Sequence, residues 1–189
     1  IPHEWSKRLL SFAVDDVNTT SVYKHDESRY GEMPMRFVRF ANDKVHKLGQ
    51  SPIPGGDVKI YQEQTNKRLS FVGSTGIKYV PVNEEVEFNL GPARLVTVKP
   101  HQTAFETLNY EFDRDSNVAG WDAVRAWRID VDNARSVPVH CEILRDLATP
   151  YWTLQMDDPG VICERHDATR ARLRVTVPAR ARRSLSYTV

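Results

Sequence analysis

Asp57-Val58-Lys59-Ile60-Tyr61, Leu69-Ser70-Phe71-Val72, Ile77-Lys78-Tyr79-Val80 and Glu85-Val86-Glu87-Phe88-Asn89-Leu90 follow one another between Pro52 and Gly91, cut by Gly73, Gly76 and Pro81. Each segment places bulky side chains at every second position. A period of two is that of a β-strand with one face toward a core, and Gly and Pro at the breaks are turn formers.

The same pattern extends in both directions. Residues 9–14 and 19–24 read as a pair of strands around the turn Asp15-Asp16-Val17-Asn18, and Met35–Phe40 reads as the next strand. The segment 42–56, with Asn42, Gly49, Pro52, Pro54, Gly55 and Gly56, reads as a long connection. Around Val98-Lys99-Pro100-His101-Gln102 the pattern resets, and a domain boundary or an inter-sheet crossover is expected there. Beyond it, strands are expected at 104–112, 123–131, 137–145, 151–156, 161–165, 170–177 and 184–189. In the last two, Ala171, Leu173, Val175 and Val177 alternate with Arg170, Arg172, Arg174 and Thr176, while Leu185, Tyr187 and Val189 alternate with Ser184, Ser186 and Thr188. One face of each is made to be buried and the other to meet water. The fold class expected is all-β: two consecutive β-sandwich units, residues 1–100 and 101–189, the second of immunoglobulin or fibronectin-III type.

Composition narrows the functional classes. The 189 residues are 40% hydrophobic and 27% charged, the profile of a globular chain. Basic and acidic residues number 26 and 25, leaving a net charge of +1, so no global field draws a polyanion and only local patches could. Apolar runs are a few residues long, far short of the ~20 a membrane-spanning helix needs. The start Ile1-Pro2-His3-Glu4-Trp5 has neither an initiator Met nor a leader pattern, which suggests a segment of something longer.

Tyr30-Gly31, Pro34, Arg36-Phe37, Phe40-Ala41-Asn42, Leu48-Gly49, Pro54-Gly55-Gly56-Asp57-Val58-Lys59-Ile60-Tyr61, Leu69-Ser70-Phe71-Val72-Gly73, Pro81, Glu84 and Leu90-Gly91 carry a resemblance. This series, with the closing Leu185-Ser186-Tyr187-Thr188-Val189, resembles the bacterial domain-of-unknown-function family 4139, the C-terminal region of mucoidy inhibitor-like envelope proteins. The likeness covers about the whole chain, and its motifs are turns and strands. It implies an all-β architecture, a periplasmic or extracellular setting in the bacterial envelope, and no residue whose role can be carried over. Ser74 and Pro92-Ala93-Arg94 depart from the family pattern and touch only the turns.

Candidate chemistry is sparse, and each candidate has a structural alternative. Cys141 and Cys163 share the inward phase with Val139, Ile143 and Val161. A disulfide across their 22-residue separation would stabilise by roughly 3 kcal/mol, whereas two core thiols are the plain alternative. Asp113, Asp115 and Asn117 stand at the first, third and fifth positions of a calcium-type loop. However, Val118 replaces the usual Gly and Val124 the bidentate Glu, as in an ordinary hairpin turn. Arg170, Arg172 and Arg174 make a stripe that could hold a polyanion such as an acidic polysaccharide, or could pair across strands with carboxylates such as Asp130, Asp132 or Glu142. No nucleic-acid module is recognisable. Trp121, Tyr151 and Trp152 sit at turn edges, where rings could stack on sugars or close the end of a sandwich, while Trp127 is in phase with Ile129 and Val131, a core position.

The six histidines show no metal-ligand spacing, and neither a nucleophile elbow nor a phosphate loop occurs, so no cofactor is expected. Three roles follow. The leading one is a non-catalytic sandwich module of a larger envelope protein, contacting other protein segments or envelope proteins. The second is a carbohydrate-binding module using Trp121, Tyr151 and Trp152. The third is an enzyme with its site in the loop 42–56, using Asn42, Asp43, His46 and Gln50.

Overall fold

The computed structural model describes Leu10 and residues 12–189, and the protein is nearly all β. The strands are β1 (Thr20–His25), β2 (Met35–Ala41), β3 (Gly56–Glu63), β4 (Leu69–Ile77), β5 (Glu85–Pro92), β6 (Val96–Phe112), β7 (Val118–Asn133), β8 (Val139–Asp146), β9 (Gln155–Met156), β10 (Ile162–Arg165), β11 (Arg170–Val177) and β12 (Ala181–Thr188). One short helix, α1 (Glu27–Tyr30), follows β1 and was not expected. Asp26 caps it, accepting a hydrogen bond from the Arg29 amide at 3.2 Å, which is a local device with no periodic signature. Among the described residues no helix is long and apolar enough to cross a membrane.

The chain divides into two compact units, but not at residue 100. One unit contains Val38–Phe88 together with the described residues before Ser21, and the other contains Ser21–Phe37 and Asn89–Val189. Two facts move the boundary. β1 pairs in parallel with β8, Tyr23 opposite Cys141 and His25 opposite Ile143, which takes an early strand into the later unit. β6 also runs unbroken through the expected reset at Val98–Gln102. Pro100 is tolerated inside it because β6 is the edge of its sheet, where a missing amide breaks no ladder on the outer side.

The larger unit is a sandwich. One face comes from the neighbouring strands β10, β11, β8 and β1 and the other from the sheet ordered β6-β7-β12-β9. Between them lie Tyr23, Cys141, Ile143, Leu173, Val175 and Val177 from the first and Val96, Val98, Ile129, Val131, Leu185 and Tyr187 from the second, all buried. The alternation expected in β11 and β12 is therefore observed. Each such aliphatic side chain contributes roughly 1.5–3 kcal/mol by leaving water.

In the other unit β3 and β4 form a two-stranded hairpin with Tyr61, Leu69, Phe71 and Val72 exposed. Asn42 staples the long loop after β2: its Nδ2 donates to the carbonyls of Ser51 at 3.1 Å and Pro81 at 3.1 Å, and its Oδ1 accepts from the Gly49 amide at 2.9 Å. Two further expectations change. In the segment 9–14 the described residues Leu10 and 12–14 are irregular, Leu9 and Ser11 lying outside the described residues, as does the start Ile1–Trp5. Of 151–156 only Gln155–Met156 is strand.

Candidate functional site: an aromatic cleft at one end of the sandwich

β7 outruns the core. Val131, Ile129, Trp127, Arg125, Ala123 and Trp121 share one phase, and burial falls along that row from Val131 and Ile129, fully buried, to Trp121 at 57% exposed. The inner face of the β6–β7 hairpin thus continues past the point where β8 ends at Asp146. The chain after β8, Leu147–Thr153, makes the opposing wall. Between them is a cleft of about 730 Å³, lined by Trp121, Trp127, Tyr151 and Trp152 together with Arg125 and Arg145.

All three aromatic residues expected to bind a ligand therefore lie on the same cleft. Tyr151 is 91% exposed. Trp152 is fixed in place: its Nε1–H donates to the Ala168 carbonyl at 2.9 Å, and the Arg165 guanidinium lies 4.1 Å from its ring centre. Arg165 is itself anchored on the carbonyls of Pro150 at 3.3 Å and Trp152 at 3.2 Å. An aromatic wall held this way needs little ordering when a ligand stacks on it.

The cleft also holds polar residues that the sequence reading passed over. Arg145 is only 8% exposed; its Nε donates to the Tyr187 hydroxyl at 2.8 Å, and its guanidinium lies 4.5 Å from the Trp127 ring centre. Burial pushes the Tyr187 hydroxyl above its ordinary value, against the pull of Arg145. Arg125 sits 5.3 Å from the centre of the Phe105 ring, its cross-strand partner. A legible signal existed: Arg145 is in phase with Cys141 and Ile143, and Arg125 with Trp127 and Ile129, so both arginines occupy inward positions near the end of a core. Trp127, expected in the core, is only packed against it and lines the cleft.

The other candidates fall away from this site. Cys141 and Cys163 both face the core but are free thiols, so the disulfide is not formed. β11 separates their strands, Cys163 standing opposite Leu173 and Cys141 opposite Val175. Two strand spacings come to about 9–10 Å, beyond the ~7 Å limit for a bridge. Burial pushes the Cys141 thiol up to about 12 and raises that of Cys163 as well.

Asp113 is a turn residue. Its carboxylate accepts from the amides of Asp115 at 2.9 Å and Asn117 at 2.8 Å, closing the β6–β7 hairpin, and these bonds hold it below the usual carboxylate range. Among the described residues no cluster of three His, Cys, Asp or Glu side chains could hold a metal ion.

The stripe Arg170, Arg172, Arg174 is engaged on its own sheet face. Arg170 bonds Asp167 at 2.6 Å, Arg174 pairs with Glu164 at 3.0 Å and Glu142 at 3.5 Å, and Arg172 meets the His166 ring. Of the three carboxylates expected opposite it, Glu142 is the partner; Asp132 pairs with Arg182, and Asp130 bonds Ser184. In the loop 42–56, Asp43 accepts from the His46 amide at 2.9 Å and from His46 Nδ1 at 2.7 Å, a turn-closing pair that holds Asp43 below its ordinary range. Asn42 is the buried staple already described. Gln50 lines a separate hollow of about 370 Å³ with Asn42, Lys47 and Ile53. Compared with protein-family models, curated proteins and solved structures, the chain matches none of them.

Proposed function

We propose that this chain is a non-catalytic recognition module, immunoglobulin-like in its larger unit, that binds glycans as part of a bacterial envelope protein. The single observation that carries the glycan reading is the convergence of Trp121, Tyr151 and Trp152 on one cleft of about 730 Å³. That volume falls in the range of small-ligand pockets, roughly 300–1,000 Å³. Flat apolar ring faces beside fixed polar groups suit the C–H faces and hydroxyls of a sugar ring. The periplasmic or extracellular setting rests on the resemblance to family 4139.

Titration of intrinsic tryptophan fluorescence with a broad oligosaccharide panel tests this. Binding is expected to be lost in Trp121→Ala and Tyr151→Ala and kept in Arg174→Ala, with circular dichroism unchanged in all three. Silence across the panel, or turnover of a bound sugar, overturns it. A second reading, contact with other envelope proteins, is favoured by the apolar side chains of the β3–β4 hairpin, Leu69 at 69% and Phe71 at 57% exposed. Co-purification that a Leu69→Lys/Phe71→Lys variant abolishes would support that surface.

A further inference from the structure

Arg145 is the only buried arginine among the described residues. Its nearest carboxylate is that of Glu27, at 3.9 Å from a side chain 56% exposed, which is a loose contact in water. Three half-buried arginines elsewhere are neutralised closely: Arg183 meets Asp158 at 2.7 Å, Arg170 meets Asp167 at 2.6 Å and Arg174 meets Glu164 at 3.0 Å. A guanidinium drawn out of water without a close counter-charge is costly, and its rigid fork matches a carboxylate bidentately.

Two further arginines lack a close counter-charge. Arg125 and Arg165 lie over the Phe105 and Trp152 rings and have no carboxylate within ion-pair distance among the described residues. The cleft's own carboxylates do not fill the gap. Asp122 accepts from Asn109 Nδ2 at 2.7 Å, and Asp146, 56% exposed, lies 3.9 Å from Arg170. Neither forms an ion pair with Arg145.

We infer that the ligand of this cleft carries a carboxylate, as an acidic, uronate-type glycan does, and that Arg145 receives it while Trp121, Tyr151 and Trp152 stack on the sugar rings. This rests on the glycan reading above and adds the chemical class of the sugar. Tyr187 and Trp127 fix the guanidinium from one edge and one face, and Arg125 adds positive charge at the rim.

Calorimetric titration of the full chain with oligomers of galacturonic, glucuronic and mannuronic acid, each beside its carboxyl-reduced neutral counterpart, tests the inference. At least one acidic oligomer should bind at least tenfold tighter than its reduced form. Arg145→Met should erase that difference, bringing the acidic and reduced forms to the same affinity. Should Arg145→Met fail to fold, Arg125→Gln provides the second variant, with the preference for the acidic oligomer over its reduced form cut several-fold. Equal binding of acidic and reduced oligomers overturns the carboxylate and leaves the glycan reading standing. Absence of binding by every oligomer overturns both. Equal affinity for a sulfated oligosaccharide, or for an acidic peptide, also overturns the assignment.

Discussion

Arg174 and Arg145 stand on paired neighbouring strands, β11 and β8, yet the fold surrounds them with opposite chemistry. Arg174 is in the outward phase, directly opposite Glu142 in β8 and Ile162 in β10, with Glu164 close by. Cross-strand neighbours on a solvent face can be carboxylates, so an outward arginine collects counter-charges from the strands beside it. Arg145 is in the inward phase, opposite Ala171, and its surroundings are core residues. What such a place offers is a hydroxyl and an aromatic face, and Tyr187 and Trp127 supply them. At these two positions, then, strand phase separates an arginine that is neutralised from one kept available at the margin of a cleft.

The comparison breaks first if phase does not govern burial on β11. Leu173→Ala, at a fully buried inward position, should cost about 2–5 kcal/mol in urea unfolding, whereas Leu69→Ala on the exposed β3–β4 hairpin should stay within about 0.5 kcal/mol. Comparable losses at the two sites would mean that the sandwich interior is not where stability resides.

A smaller effect sharpens the outward half. The Glu142 side chain is 7% exposed and lies 3.9 Å from Lys24 and 3.5 Å from Arg174. Glu142→Gln keeps the shape and removes the charge that these two cations share, and should cost about 1–3 kcal/mol. A double-mutant cycle with Arg174→Ala should be non-additive, and additivity would show that the two side chains are not coupled.

Much of this contrast was legible in advance. Alternation located the core residues of β11 and β12, and turn-edge placement picked out Trp121, Tyr151 and Trp152. What escaped was information carried between distant segments. Nothing local in Thr20–His25 says that it pairs in parallel with Val139–Asp146, and so the division at residue 100 was misplaced. Pro100 looked like a break because sequence does not reveal that its strand is an edge. The disulfide failed for a related reason: shared inward phase does not say that another strand lies between two cysteines. Arg145 shares the phase of Ile143, and that phase places it inside.

His25 gives a pH-dependent version of the same contrast. It is 1% exposed, its Nδ1 has no hydrogen-bond partner, and burial, the main cause, with Arg145 also contributing, holds its pKa below the ordinary 6.5 against the opposing pull of Glu27 and Asp26. Below that value the unfolded chain binds a proton that the folded protein resists. Stability should therefore be fully present above pH 6.5 and decline on acidification from there down through the lowered folded value. His25→Asn should flatten the melting temperature over that window, and an unchanged acid slope would show that other groups set it.

The smallest effect belongs to the most exposed pair. Arg182 meets Asp132 through two hydrogen bonds, one of them 2.8 Å from Nε to Oδ1, with side chains 63% and 36% exposed. The geometry is bidentate, but both ions stay in water, where desolvation costs little and salt screens the attraction. The hydrogen bond from Arg182 holds the Asp132 carboxyl below its usual range, so whatever the pair adds is present above the unfolded value near 3.8 and disappears as pH falls through the folded one. Arg182→Ala should thus lower the melting temperature slightly at pH 7 in dilute buffer, less in molar salt, and not at all well below pH 3.8. A loss as large as that of Glu142→Gln, insensitive to salt, would mean that exposure and not only strand phase has been misjudged as the control on what an arginine contributes here.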